Sequence, residues 1–109
     1  MAEDTSDIII TDNKEKHRYE LKFGDSDALA ILVYKEQGDT ITLIHTEVPQ
    51  ELEGHGLGGK IAKYALDDAE KRGLQVVASC PFVSSYIRRH PDYMELLTEP
   101  EKERLSKKS

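Results

Sequence analysis

Glu53-Gly54-His55-Gly56-Leu57-Gly58-Gly59-Lys60 is the stretch that decides how this chain of 109 residues folds. Four glycines in six residues separate an apolar run from a segment with a helical pattern. Glycine lets the backbone approach an anion closely, and the start of a helix offers unpaired N–H groups with a partial positive charge. The stretch therefore predicts a phosphate-binding turn at a helix N-terminus.

Two nucleotide-binding motifs fit this stretch in spacing but not in context. Gly54, Gly59 and Lys60 match a P-loop, but Ile61 stands where Ser or Thr would hold magnesium. A dinucleotide fingerprint follows the first strand of a βαβ unit and needs an acidic residue about 20 positions further on. Here several strand-like runs come first, and the next strand ends without an acid, in Ala78-Ser79-Cys80. A bare turn, in which the glycines bind nothing, stays open as a further interpretation.

The composition indicates one small domain over residues 1–109, with 38% hydrophobic and 33% charged residues. The longest apolar run, Ala28 to Tyr34, is too short to cross a membrane. A single cysteine excludes an internal disulfide and is typical of a cytoplasmic protein. With a net charge of −6, neither nucleic acid nor membrane is an expected partner. The four histidines lack metal-binding spacing, so no metal is expected. The expected oligomeric state is a monomer or a weak homodimer.

Alternating polar and apolar residues predict four strands before the glycine stretch, joined by short turns as an antiparallel meander. The predicted strands are Ile8–Thr11, His17–Phe23, Ala28–Glu36 and Thr40–Val48. In the fourth strand, strict alternation assigns Ile41, Leu43, His45 and Glu47 to one face, and Thr42, Ile44, Thr46 and Val48 to the other.

The second half of the chain predicts a crossover from one strand through a helix to a parallel strand. The helix begins at Gly56 or Leu57 and runs to about Arg72, followed by a strand from Leu74 to Cys80. Pro81 then opens a second helix, from about Phe82 to His90, and Pro91 starts a further helical turn. We expect both ends of the chain, Met1–Asp7 and the charged tail Glu99–Ser109, to fray.

This order of elements resembles the GNAT superfamily of N-acetyltransferases, in its small single-domain branch. The stretch Glu53 to Gly58 nearly matches the pyrophosphate loop [R/Q]-x-x-G-x-[G/A] of that family, with Glu53 in place of Arg or Gln. Ala78-Ser79-Cys80-Pro81-Phe82-Val83 and Arg89-His90-Pro91-Asp92-Tyr93 extend the likeness over most of Ala28–Leu97. The resemblance implies a mixed α/β fold of the acyl-CoA N-acyltransferase type, with splayed parallel strands and a C-terminal helix. The helical pair that larger members carry between their first two strands is missing.

The resemblance also implies acetyl-CoA as the cofactor. Its pantetheine arm would enter between the splayed strands and bond the backbone near Glu47 and Val48. Its pyrophosphate would lie on the amides of the glycine stretch. The implied loop contacts are Gly54, His55, Gly56, Leu57, Gly58, Gly59 and Lys60.

Four residues are candidates for the chemistry of acetyl transfer to a primary amine. Cys80 ends a strand and precedes a helix N-terminus, a setting that favours a thiolate. The small enzymes that the chain resembles often have cysteine here, so the resemblance implies a candidate acetyl acceptor. Glu47 or His45 can deprotonate the amine, and Tyr86 resembles a tyrosine that protonates coenzyme A in some relatives. Each has a plainer interpretation as a buried thiol, a solvated strand face or a packed tyrosine. The sequence does not identify the acceptor, and a non-catalytic module that binds or senses coenzyme A is the alternative function.

Overall fold

A computed structural model of the chain describes residues 8–106, which form one five-stranded sheet and three α-helices. Strand order follows the sequence, and all neighbours are antiparallel except the last pair, β4 and β5. Two 3₁₀ segments, Gln50–Leu52 and Pro91–Leu96, complete the fold. The strands and helices are β1 Ile8–Asn13, β2 Arg18–Phe23, β3 Leu29–Gln37, β4 Thr40–Glu47, α1 Leu57–Lys71, β5 Gln75–Ala78, α2 Pro81–Arg89 and α3 Glu99–Ser106. The predicted mixed sheet with a parallel crossover is confirmed.

One face of the sheet forms the core, because apolar residues recur with the two-residue period of the strands. Tyr19 pairs with Leu32 and Leu21 pairs with Ala30, and all four side chains are fully buried. Ile41 and Leu43 continue this buried face into β4. The opposite face has no fully buried strand residue within the described part of the chain.

Helix α1 covers the buried face with an i, i+4 apolar stripe, and α2 packs beside it. Gly73, with φ of +72°, stops α1 in the left-handed conformation that glycine adopts readily. Within residues 8–106 no helix combines the length and apolar character needed to cross a membrane. The buried stripe of α1 comprises Leu57, Ile61, Ala65 and Ala69.

A buried polar contact ties α1 to the sheet. The hydroxyl of Tyr19 donates to a carboxylate oxygen of Asp68 at 2.8 Å. Burial, reinforced by this hydrogen bond, raises the pKa of Tyr19 above its ordinary value, so the hydroxyl stays protonated and remains a donor. Arg72 donates to the same oxygen of Asp68 at 3.3 Å and also reaches Glu36 of β3 at 2.9 Å.

A β-bulge changes the predicted faces of β4. Tyr34 pairs with Leu43 and Val33 with His45, so Ile44 has no partner in β3. Because side chains directly opposite each other share a face, the extra residue reverses the alternation beyond Leu43. The prediction that His45 and Glu47 share a face with Ile41 and Leu43 is therefore wrong. Thr46 lies on the core face instead, opposite Leu32.

The predicted fraying of the tail is wrong for Glu99–Ser106, which forms helix α3. Glu101 accepts a hydrogen bond from the backbone N–H of Ala78 at 3.0 Å, and Arg104 donates to the carbonyl of Ala78 at 2.9 Å. Leu105 is buried. These hydrogen bonds to the backbone of β5 hold the charged segment on the domain. Composition alone does not reveal such long-range contacts. Residues 1–7 and 107–109, also expected to fray, lie outside the described residues.

Truncating the one buried side chain of α3 tests whether this helix is part of the folded domain. Leu105→Ala should lower the free energy of unfolding by about 2–3 kcal/mol, because it removes buried methyl groups and leaves a cavity. The exposed neighbour provides the control, and Ser106→Ala should change stability by less than about 0.5 kcal/mol. Urea unfolding measures both, and equal stabilities would show that α3 does not pack on the domain.

Candidate active site

Strands β4 and β5 stop pairing near their carboxyl ends, and the unpaired region between them is called the cleft. Their parallel ladder ends with Leu43 opposite Ala78, and a last bond joins the N–H of Cys80 to the carbonyl of Leu43 at 2.9 Å. Strand β4 continues to Glu47, so its backbone beyond Leu43 has no strand partner on the β5 side within residues 8–106. Unpaired backbone groups on that edge are free to bond an extended ligand.

Thr46 and Cys80 face each other across the base of this cleft. The threonine hydroxyl lies 3.2 Å from the cysteine sulfur, and Cys80 is the N-cap residue of α2. Only 3% of the Cys80 surface is exposed. The bulge at Ile44 turns Thr46 toward the thiol, which explains why strict alternation missed Thr46 as a site residue.

His45 and Glu47 lie on the other face of β4. Their side chains are 3.4 Å apart and mostly exposed to solvent. The fold thus brings these two candidate bases together, but on the opposite face of β4 from Thr46 and Cys80. Val48, the next residue, is partly buried against the core.

The glycine stretch forms the predicted turn into α1. Gly54 and Gly56 have φ of +91° and +69°, and open space surrounds the position of a β-carbon at both. Their backbone conformation, rather than crowding, is therefore what requires glycine. The first helical bond of α1 runs from the N–H of Lys60 to the carbonyl of Gly56, and no side chain of the described residues caps the helix. The three preceding N–H groups, those of Leu57 to Gly59, are available to an anion.

Aromatic side chains pack around this turn. A β-carbon on Gly58 would lie 2.9 Å from the ring of Phe82, so Gly58 makes room for an aromatic ring of α2. The ring of Tyr86 lies beside Gly59, where a β-carbon would be in ordinary contact at 3.7 Å. His55, a predicted cofactor contact, stacks on Phe23 at the end of β2, with ring centroids 4.5 Å apart. The sequence pattern indicated none of these contacts.

Tyr86 lies among other aromatic residues in the groove between α1 and α2. Its ring stacks on His90 with centroids 4.2 Å apart. The side chain is buried, yet its hydroxyl has no hydrogen-bond partner among the described residues. Across residues 8–106 no cluster of His, Cys, Asp or Glu is arranged to hold a metal ion.

The family model for the GCN5-related N-acetyl-transferase matches residues 18–96. The chain belongs to the GCN5-related N-acetyltransferase family. The match begins at β2 and ends in the 3₁₀ segment after α2, so it includes the cleft, the glycine turn and Cys80. The predicted family, fold and N-acetyltransferase class are confirmed at this level.

Similar proteins share most of their length with this chain. Protein NATD1 of Xenopus tropicalis is 27% identical over 96 residues, which cover 85% of this chain and 88% of the relative. Protein NATD1 of Danio rerio is 28% identical over 86 residues, covering 76% and 78%. The solution structure of a GCN5-like protein from Staphylococcus aureus aligns with a TM-score of 0.65 at 27% identity, over 85% of this chain and 90% of that one.

The contact between Gly58 and Phe82 can be tested by a double-mutant cycle. Gly58→Ala should lower the free energy of unfolding by about 1–2 kcal/mol, because its methyl group displaces the ring. In a Phe82→Ala background the same change should cost no more than about 0.5 kcal/mol. Gly59→Ala is the control and should be neutral or stabilising by up to about 1 kcal/mol, since helices favour alanine. A cost for Gly58→Ala that persists without Phe82 would refute this assignment.

Proposed function

We propose that this chain binds acetyl-CoA in the cleft beside β4 and transfers the acetyl group to a primary amine. The observation that carries the proposal is the unpaired edge of β4, followed after a 3₁₀ segment and the glycine turn by the uncapped N-terminus of α1. An extended amide chain suits the strand edge, and a pyrophosphate suits the helix N-terminus. Acetyl-CoA carries both groups, and the family generally uses it.

The residues of the turn are suited to hold the phosphates by their backbone. Glu53 is exposed and acidic, so it repels rather than attracts a phosphate. Lys60 is exposed in the first turn of α1 and can supply a local positive charge. The N–H groups from Gly54 to Gly59, with the helix dipole behind them, must therefore supply most of the attraction.

The acetyl group can reach the amine by two routes. In direct transfer, the neutral amine nitrogen attacks the thioester carbonyl, the C–S bond breaks, and coenzyme A leaves as a thiolate that takes up a proton. In the two-step route, the Cys80 thiolate attacks first and coenzyme A departs, leaving an acetyl-cysteine. The amine then attacks that carbonyl and releases the Cys80 thiolate. The contact with Thr46 supports the second route, because a hydroxyl can hydrogen-bond a thiolate at this distance.

Proton transfers are assigned to side chains on the two faces of β4. Glu47 and His45 are exposed on the open face, where an incoming amine can reach them and lose its proton. Tyr86 lies on the helical side with an unpaired hydroxyl, which suits a proton donor to the departing thiolate. The amine would then approach the thioester from the open face, through the gap between β4 and β5 beyond Leu43.

A coenzyme A-binding or sensing module without turnover is the second candidate. Two observations favour it: Cys80 is almost fully buried, and Glu47 and His45 stay exposed among the described residues, without a wall for an acceptor. Such a module would bind acetyl-CoA through the same cleft and turn. It differs from the enzyme only in forming no acetylated product.

The test incubates the protein with acetyl-CoA and measures its intact mass, before and after addition of a primary amine. We expect a mass increase of one acetyl group that hydroxylamine removes and that the amine discharges. Cys80→Ala should abolish this increase, whereas Ser79→Ala, at the exposed neighbouring position, should retain it.

Three results would separate the candidate functions. A labile acetyl group that persists in Cys80→Ala would exclude Cys80 as the acceptor. Acetylated amine formed by Cys80→Ala without any labelled protein would establish direct transfer. Binding of acetyl-CoA with neither label nor product, across a panel of amines, would leave the sensing module as the function.

A further inference from the structure

A cavity distinct from the cleft lies on the helical side of the molecule, between α1, α2 and the 3₁₀ segment Pro91–Leu96. Its volume is 640 Å³, within the range of small-molecule sites. Helix α1 contributes Lys63, Asp67 and Glu70, which follow one another at helical spacing along one stripe. Neither Thr46 nor Cys80 lines this cavity, and Tyr86 is the one lining residue to which the proposed acetyl transfer gives a role.

Tyr86 gives this cavity an unsatisfied polar group. Its side chain lines the cavity and is 8% exposed, and its ring packs against His90 and Tyr93. Among residues 8–106 its hydroxyl has no hydrogen-bond partner. A polar group without a protein partner in a largely buried side chain calls for an explanation, and a ligand group received by the cavity would provide its hydrogen bond.

One ion pair in the cavity is already complete. Lys63 donates to Asp67 at 2.7 Å, and the hydroxyl of Tyr93 donates to the second oxygen of the same carboxylate, also at 2.7 Å. Burial opposes ionisation of Asp67, but these two hydrogen bonds outweigh it and hold the pKa of the carboxyl below its ordinary value. The hydrogen bond to Asp67 raises the pKa of Lys63. Both groups therefore stay charged and neutralise each other.

The remaining charges leave the cavity negative. Glu70, Asp92 and Glu95 are exposed at its rim, and none has an ion-pair partner within the described part of the chain. Arg89 and His90 are the groups that oppose them, and Arg89 donates to the hydroxyl of Ser85 at 3.2 Å. Three free carboxylates outnumber the one fixed positive charge that remains, that of Arg89.

We propose that this cavity binds an alkylammonium ligand, such as a polyamine or a lysine side chain. The carboxylates of Glu70 and Glu95 attract the charge, the hydroxyl of Tyr86 accepts a hydrogen bond from the ammonium group, and the aromatic rings provide cation–π contacts. The same excess of carboxylates disfavours a phosphate. Adenosine 3′,5′-bisphosphate, the nucleotide portion of coenzyme A, is therefore predicted not to occupy this cavity.

An NMR titration of the full chain with spermidine, alongside a lysine amide, tests the proposal. Spermidine should shift the backbone amides from Tyr86 to Tyr93 saturably, and the lysine amide should shift the same amides more weakly. The double variant Glu70→Gln/Glu95→Gln should weaken spermidine binding roughly three- to tenfold. Tyr86→Phe should weaken it roughly two- to fivefold. Glu15→Gln, in the turn between β1 and β2, removes the same kind of charge elsewhere and should leave the affinity unchanged.

Two outcomes would overturn the proposal. Spermidine shifts spread over the whole acidic surface, with the same affinity in every variant, would mean attraction by the net charge alone. Saturable shifts of the Tyr86–Tyr93 amides by adenosine 3′,5′-bisphosphate would assign the cavity to an anion. Binding of acetyl-CoA at the cleft is tested separately, by the intact-mass experiment and by shifts at the β4 edge and the first turn of α1.

Discussion

The fold depends on the point at which β4 and β5 stop pairing. Their ladder ends at Leu43, and the next residue of β4, Ile44, is the unpaired residue of the bulge. Two features therefore meet at this point: the end of the ladder with β5 leaves a free strand edge, and the bulge opposite β3 turns Thr46 toward the core beside Cys80. In a regular strand Thr46 would point away from the helices and His45 would point toward them, so these two side chains would exchange faces.

The glycine turn follows from the same geometry. A chain leaving β4 must reverse over the sheet to begin α1, and Gly54 and Gly56 supply the left-handed backbone that this path requires. Phe82 then packs on Gly58, so the first turns of α1 and α2 meet directly. The glycines of the motif thus serve different purposes, since two shape the backbone and one admits an aromatic ring. Our account of the phosphate site rests on the backbone N–H groups that this arrangement exposes.

Local patterns predicted most of the fold. The predicted boundaries of α1 were close to the observed ones, because its apolar stripe and the glycines at its two ends are local features of the sequence. The faces of β4 were wrong because a bulge depends on the partner strand, and α3 was missed because Glu101 and Arg104 bond the distant residue Ala78. Both errors concern contacts between residues far apart in sequence.

The candidate site was only partly accessible from sequence. Cys80 and the glycine turn were found through motif resemblance, and the structure describes both at the cleft. No sequence motif marks Thr46 or Phe82 as a site residue. Only the structure shows that Thr46 contacts Cys80 and that Phe82 packs on Gly58. The roles of Cys80, Glu47, His45 and Tyr86 remain predictions, because a role depends on where the substrates bind.

An amide NMR titration with acetyl-CoA, with NAD and ATP in parallel, tests the central claim most directly. Our account predicts saturable shifts with acetyl-CoA at Thr46 to Val48 along the free strand edge and at Leu57 to Lys60 in the first turn of α1. NAD and ATP should shift the strand edge far less, because neither carries an extended amide arm. No response to acetyl-CoA at these amides, or a response to NAD or ATP alone, would contradict the account.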